Sequence, residues 1–277
     1  MIKTEVFTKI VEEKMKGNAK LLNFATDMGE LPNGVQAGET HTILKWKHIG
    51  EAKDLKKGEK IETEEMQNET SKETIEHKAK GILIYDYEKK TSVDGMSAED
   101  RGARQIAEVL TRAREKSLAT KMLKAPLKFA TADKNAITAQ ELNQAMVTGF
   151  GDNQDTADMA CILINSRTSA CFYTMPEFVD SMKTYNGLNG NGIVQNGVIG
   201  YFRGIPVVMA DYSTFDNGEC VTFIIKKGAI GYKNCGAVGI ESVRNAEYKR
   251  DEIYGDDLFV TGVLDDSGVI VMRKTIA

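Results

Sequence analysis

The sequence predicts an α+β fold, and three observations carry that prediction. Helical and extended stretches follow one another without strict alternation. One long helix with a narrow apolar stripe occupies residues 98–124. Between two apolar strands stands a stretch so charged that it has almost no face to bury. The chain has 277 residues, 42% hydrophobic and 27% charged, enough for a real core and ordinary for a folded protein. A net charge of -4 argues against a dedicated nucleic-acid binder, which carries a basic excess.

Residues 5–16 place Val6, Phe7, Ile10, Val11 and Met15 at helical spacing, and Gly17 and Asn18 close that helix. A lone helix of this length is marginal in water, so its stripe must dock, either on its own domain or on another subunit. Gly29, Pro32, Asn33, Gly34 and Gly38 mark the following stretch as an arm or linker. Residues 42–49 then alternate Leu44 and Trp46 with Lys45 and Lys47, as a half-covered strand does. Residues 51–80 are about half charged, with Ile61, Met66 and Ile75 among the few large aliphatics and a turn candidate at Lys56-Lys57-Gly58-Glu59. At about 3.3 Å per residue such a hairpin projects tens of ångströms, and a two-stranded ribbon of that kind needs a neighbouring surface to persist. Gly81–Tyr85 returns the chain to a buried strand.

Ser97 is a suitable N-cap for the long helix, Glu99 and Asp100 complement its dipole, and Pro126 ends the run. Ala103, Ile106, Ala107, Leu110 and Ala113 form its stripe, with Arg101, Arg104, Arg112, Arg114 and Lys116 around it; a solvated or salt-bridged face accounts for these better than a DNA-binding one. A second helix starts at Thr138, where Thr138 with Glu141 makes a capping box and Ile137 with Leu142 a hydrophobic staple, and it runs to Gly149. Met159–Ile164 reads as a buried strand, Pro176 opens a helix carrying Phe178, Val179 and Met182, and residues 186–200 form a loop or hairpin. Strands follow at 204–209, 221–225, 258–264 and 269–272, the last two joined by a hairpin turn at Asp265-Asp266-Ser267-Gly268.

Chemistry is hard to place. The glycines at 187, 190, 192, 197 and 200 lack the lysine and the strand–helix context of a phosphate loop. His41, His48 and His77 are scattered, and no serine sits in a GxSxG elbow. Cys161, Cys171, Cys220 and Cys235 have no metal-binding or redox spacing and read as free, mostly buried thiols. Asp256-Asp257 and Asp265-Asp266 look like turn residues. No catalytic residue, cofactor or metal is expected. No apolar run approaches the roughly 20 residues of a membrane helix, so no membrane partner is expected either.

The order of elements resembles the major capsid proteins of tailed bacteriophages, the Hong Kong 97 type, over nearly the whole chain. The resemblance rests on the arm, the charged hairpin, the long helix, Ile162-Leu163-Ile164-Asn165, Met182–Gly187, the Gly204-Ile205-Pro206-Val207-Val208-Met209-Ala210-Asp211 strand, Phe223–Tyr232 and the closing stretch Glu241–Met272. It implies an N-terminal arm at 1–37 and an extended loop at 38–78. A peripheral domain with a spine helix would span 79–149, an axial domain 150–238, and closing peripheral strands 239–277. The function it implies is self-assembly, as pentamers and hexamers, into an icosahedral head around double-stranded DNA held without sequence specificity. Assembly would take place in the host cytoplasm, with a portal and, since the arm begins at once, a separate scaffolding protein. Trp46, Lys56, Lys57, Gly58, Lys60, Arg101, Arg104 and Arg112 are the candidate contact residues. Some relatives crosslink a loop lysine to a neighbour's asparagine with help from a glutamate. Asn245, between Glu241 and Glu247, does not align with that chemistry, and no crosslink is expected. The rival readings are an encapsulin-like compartment shell, a small α+β enzyme, and a DNA binder using the spine-helix arginines.

Overall fold

The computed structural model describes residues 4–32, 34–46, 54–55, 58, 60–61, 63–66, 68–91, 98–176, 178 and 198–276. Two mixed sheets share the chain. One has six strands in the order β5 (Leu127–Ala130), β15 (Val269–Arg273), β11 (Thr222–Lys226), β6 (Met159–Ile164), β8 (Ile205–Met209) and β7 (Val198–Phe202). The other is built on β14 (Arg250–Val263). Along its first half β14 pairs with β13 (Gly239–Asn245) on one side and β4 (Glu76–Tyr85) on the other, and its last residues pair with β12 (Ile230–Asn234), which takes β1 (Thr26–Glu30) in parallel.

The six-stranded sheet is buried on both faces, which is why its central strands read as unbroken apolar runs. All six residues of β6 are buried. Alternate residues serve two different cores, as the two-residue period of a strand requires. Cys161, Leu163, Phe223, Ile225 and Val271 point to one side, against Leu118, Ala119 and Met122. Ile162, Ile164, Ile224, Ile270 and Met272 point to the other, against Leu142, Ala145 and Met146 of α4 (Ala139–Phe150). The α4 N-terminus carries the expected capping box, with Thr138 Oγ1 accepting from the Glu141 N–H at 3.2 Å and Glu141 Oε2 accepting from the Thr138 N–H at 2.8 Å. Ile137 and Leu142 are both buried in the same core.

The long helix α3 (Ala98–Met122) has 25 residues, about 37 Å at 1.5 Å per residue. Its first half packs Ala103, Ile106, Ala107 and Leu110 on Ile84 and Ile253 of the five-stranded sheet, and its second half enters the core of the six-stranded one. Gly102 allows the close approach: a Cβ there would stand 2.3 Å from Ile82 Cδ1. The arm helix α1 (Thr4–Asn18) docks on its own domain. Phe7, Val11 and Met15 are buried with the α3 stripe, which decides between the two docking sites left open above.

Several expectations are corrected. Asp265–Gly268 is a turn but not a hairpin, because β14 and β15 belong to different sheets and the chain crosses between them there. Asp256 and Asp257 lie inside β14, and Asp257 is 4% exposed. Of the solvated and salt-bridged alternatives for the helix arginines, Arg114 takes the salt-bridged one, buried against Asp257. The stretch before Gly38 is not all linker, since β1 adds to the sheet edge. Gly81–Tyr85 is covered on one face only: Ile84 is buried while Leu83 and Tyr85 are exposed. The helix α5 (Ser166–Thr174), capped by the Asn165 side chain accepting from the Arg167 N–H, was not anticipated. Ser97, His48, Val179, Met182–Gly187 and most of 186–200 lie outside the described residues; Val198–Gly200 belongs to β7.

Candidate assembly surfaces

The charged segment is a hairpin of β2 (Thr40–Trp46) and β3 (Asn68–Thr74), paired in register from Thr40↔Thr74 to Trp46↔Asn68. Its base is not apolar-poor, contrary to the sequence reading. Ile43 is buried and lies so close to β14 that a Cβ on Gly262 would stand 2.4 Å from its Cδ1. Ile75 is buried with Leu31 and Val260. Polar ties add to this grip. Lys45 Nζ meets Asp266 Oδ1 at 2.7 Å, Lys121 Nζ meets Glu73 Oε2 at 3.1 Å, and the Ser117 hydroxyl donates to Glu76. Beyond the ladder the chain changes character. Leu55, Ile61 and Met66 are 59%, 67% and 62% exposed, so these apolar side chains of the distal hairpin lie open to solvent. Gly58 sits in a turn at φ +93°, a conformation glycine adopts without strain.

A second exposed surface is the face of the five-stranded sheet turned away from α3. The register aligns Val243, Glu252 and Leu83 across three strands, with Asn245, Arg250 and Tyr85 in the next row that shares this face and Glu241, Tyr254 and Gly81 on the other side. Leu83, Tyr85, Val243 and Tyr254 are all exposed. Glu252 organises the patch: the Tyr254 hydroxyl donates to it at 2.7 Å and Arg250 Nε at 2.9 Å. The tyrosine hydrogen bond and then the arginine hold its carboxyl below the usual value. At one end of this sheet a charged cluster pins α2 (Asp86–Thr91). Lys89 reaches Glu99 and Asp251, and Arg244 reaches Asp86 and Asp251.

The candidate contact residues from the sequence fall in two places. Trp46 ends β2, and Gly58 and exposed Lys60 belong to the distal hairpin; Lys56 and Lys57 lie outside the described residues. Arg101, Arg104 and Arg112 are exposed on α3. Arg104 pairs with Asp100 at 3.5 Å, and Arg112 pairs with Glu108 and lies 5.6 Å over the Tyr212 ring. Arg104 and Arg112 are thus paired within the chain, as the salt-bridged reading expected. The structure does not bring the hairpin and helix sets together.

Among the described residues no cluster of three or more His, Cys, Asp or Glu side chains could hold a metal ion. A shallow groove along α4, lined by Gln140, Asn143, Gln144, Val147 and Thr148, contains no titratable side chain. Burial and nearby Lys233 lower the His41 pKa, and burial pushes the Cys161 thiol up, so neither is primed as an acid or nucleophile at neutral pH. All four cysteines are free; Cys161 and Cys220 are buried and the other two half-buried.

No protein-family model matches the chain, and no curated protein matches it in sequence. Solved structures do. The virus-like particle from Pyrococcus furiosus aligns over 99% of this chain and 100% of its own, at TM-score 0.64 and 12% identity. The capsid of an empty GTA particle aligns over 94% and 90%, at TM-score 0.64 and 14% identity. A chain of the capsid structure of cyanophage P-SCSP1u aligns over 91% and 87%, at TM-score 0.58 and 11% identity. The fold is the Hong Kong 97 type phage capsid fold. Among the described residues, two surfaces of this capsid fold that leave large apolar side chains open are the distal hairpin and the outer sheet face. The sequence singled out the first, from its charge density. It missed the second because its apolar residues come from three separate strands that meet only through the register.

Proposed function

We propose that this chain is a phage major capsid protein, many copies of which close into an icosahedral shell around double-stranded DNA. The observation that carries the reading is the hairpin: its base is locked by Ile43, Ile75, Lys45 and Lys121, while the segment beyond its ladder exposes Leu55, Ile61 and Met66. An arm held rigidly at its root and left apolar at its end is suited to reach a second subunit, and exposed apolar side chains grouped on one segment mark contact surfaces. The near-complete alignment with a virus-like particle and with a capsid supports the same conclusion.

In this reading residues 38–78, with Trp46, Lys56, Lys57, Gly58 and Lys60, lie on the adjacent subunit. The arm, spine helix and five-stranded sheet form the peripheral part. Residues 150–238 apart from β12, with β5 and β15 joining their sheet, supply the axial part whose loops meet in pentamers and hexamers. Arg101, Arg104 and Arg112 contribute contacts along the spine helix. Many weak, repeated contacts then sum to a stable closed assembly. The chain is not an enzyme, is located in the virion after assembly in the host cytoplasm, and works with a separate scaffolding protein and a portal. DNA is enclosed without sequence recognition, in keeping with the net charge of -4.

Sedimentation and negative-stain electron microscopy of the purified chain, alone and with proteins encoded beside it, test this. Shells, tubes or capsomer rings are expected. A compact monomer under every condition, including with a scaffolding partner, would overturn it.

A further inference from the structure

Glu115 is a charged residue of α3 with no exposed surface, and neither the hairpin nor the sheet face involves it. Its Oε1 accepts three backbone hydrogen bonds, from the N–H groups of Lys20 at 2.6 Å, Leu21 at 2.7 Å and Leu22 at 3.2 Å. Its Oε2 accepts from the Tyr212 hydroxyl, in the turn that follows β8. Lys20 Nζ reaches the same turn by donating to the Met209 carbonyl at 3.0 Å. One carboxylate therefore joins the spine helix, the chain leaving the arm helix, and a loop of the six-stranded sheet. Its position on α3 is at the seam: Leu110 packs with the five-stranded sheet's core and Leu118 with the six-stranded one.

We propose that Glu115 is a latch that holds the N-terminal arm at the seam between the two sheets. Taking it away leaves three N–H groups buried without an acceptor, a cost that is relieved only if water reaches residues 20–22. Ala19, Leu21 and Leu22 also pack in the core beside it, whereas the strand that follows is held loosely. β1 is mostly exposed, and its parallel ladder with β12 shifts register between Asp27 and Glu30. The central strands of both sheets also close cores that contain no residue of 19–31, around Ile162 and Ile224 and around Ile253. Release is thus local: residues 19–31 lift, giving up the edge strand β1 and the burial of Leu21 and Leu22, while the central strands of both sheets stay paired. This inference concerns the folded chain and stands whether or not the chain forms shells.

The test is hydrogen exchange followed by mass spectrometry on the full-length, unassembled chain. In Glu115→Leu, which keeps roughly the side chain's size but removes both acceptor oxygens, exchange over residues 19–31 is expected to rise roughly tenfold or more, with β6 and β11 unchanged. Tyr212→Phe, which removes one donor, is expected to raise exchange over the same residues by less. Unchanged exchange over residues 19–31 in Glu115→Leu overturns the latch, and so does an equal rise in β6 and β11, which makes Glu115 a general stabiliser. If Glu115→Leu does not fold, Tyr212→Phe is judged by the same two criteria.

Discussion

Replacing Arg114 with methionine removes one half of the ion pair that ties the spine helix to the five-stranded sheet. Arg114 Nε and Nη2 both donate to the Asp257 carboxylate, Nη2 at 2.5 Å from Oδ1, and the two side chains are only 10% and 4% exposed. The guanidinium also lies 5.6 Å over the Phe259 ring. Without it, Asp257 is a buried charge with no partner, which costs about 3–5 kcal/mol. That is a large part of the roughly 5–15 kcal/mol by which folded domains are stable. At about 2–4 °C per kcal/mol for a chain of this size, Tm should fall by roughly 6–20 °C. The double variant Arg114→Met/Asp257→Leu buries no charge and should recover most of the loss. The assay is scanning calorimetry of the unassembled chain at neutral pH, because assembly would itself add stability. A fall of less than about 2 °C in the single variant, or a double variant no more stable than the single, would refute the reasoning.

Three more expectations follow from particular contacts. Gly262→Val forces side-chain atoms into Ile43 at the hairpin root, so shell yield should drop while the secondary structure by circular dichroism stays intact; normal shell yield would show that the hairpin angle is not set there. Burial alone would raise the Asp251 pKa, but hydrogen bonds from Lys89 and Arg244 outweigh it and hold the carboxyl below its ordinary value. A carboxylate with a depressed pKa stabilises the fold above its unfolded pKa near 4 and loses that contribution as pH falls through the folded value. Asp251→Asn should therefore lose less Tm than the wild type between pH 7 and pH 3, and an equal loss would contradict this account. Thr138→Ala breaks the capping box of α4 and should cost about 1 kcal/mol in a denaturant titration, whereas Thr138→Ser should cost much less.

The elements legible in the sequence are those whose local signals agree with their surroundings. The α4 cap, the α3 stripe and the unbroken apolar run of β6 each state their environment in consecutive residues. What escaped the reading depends on partners far along the chain. β14 begins at Arg250, yet Arg250, Asp251, Glu252, Asp256 and Asp257 hide it as a polar stretch. Asp251 and Asp257 are buried there only because Lys89, Arg244 and Arg114 arrive from other elements. The Asp265–Gly268 turn has good hairpin chemistry, but no local pattern reports that the strands on either side join different sheets. Ile43 and Ile75 look like isolated aliphatics in a charged hairpin, and their burial follows from Gly262 and Leu31, which no periodicity links to them. The seam carboxylate Glu115 gave no sequence signal at all, being one of many charged residues on a helix whose arginines and lysines drew the eye.

Cryo-electron microscopy of whatever the purified chain forms tests the central claim most directly. The account predicts closed particles in which the distal hairpin of each copy, with Leu55, Ile61 and Met66, is covered by a neighbouring copy, and in which the six-stranded sheets gather around symmetry axes. A discrete, small oligomer with those three side chains still open to solvent would contradict it.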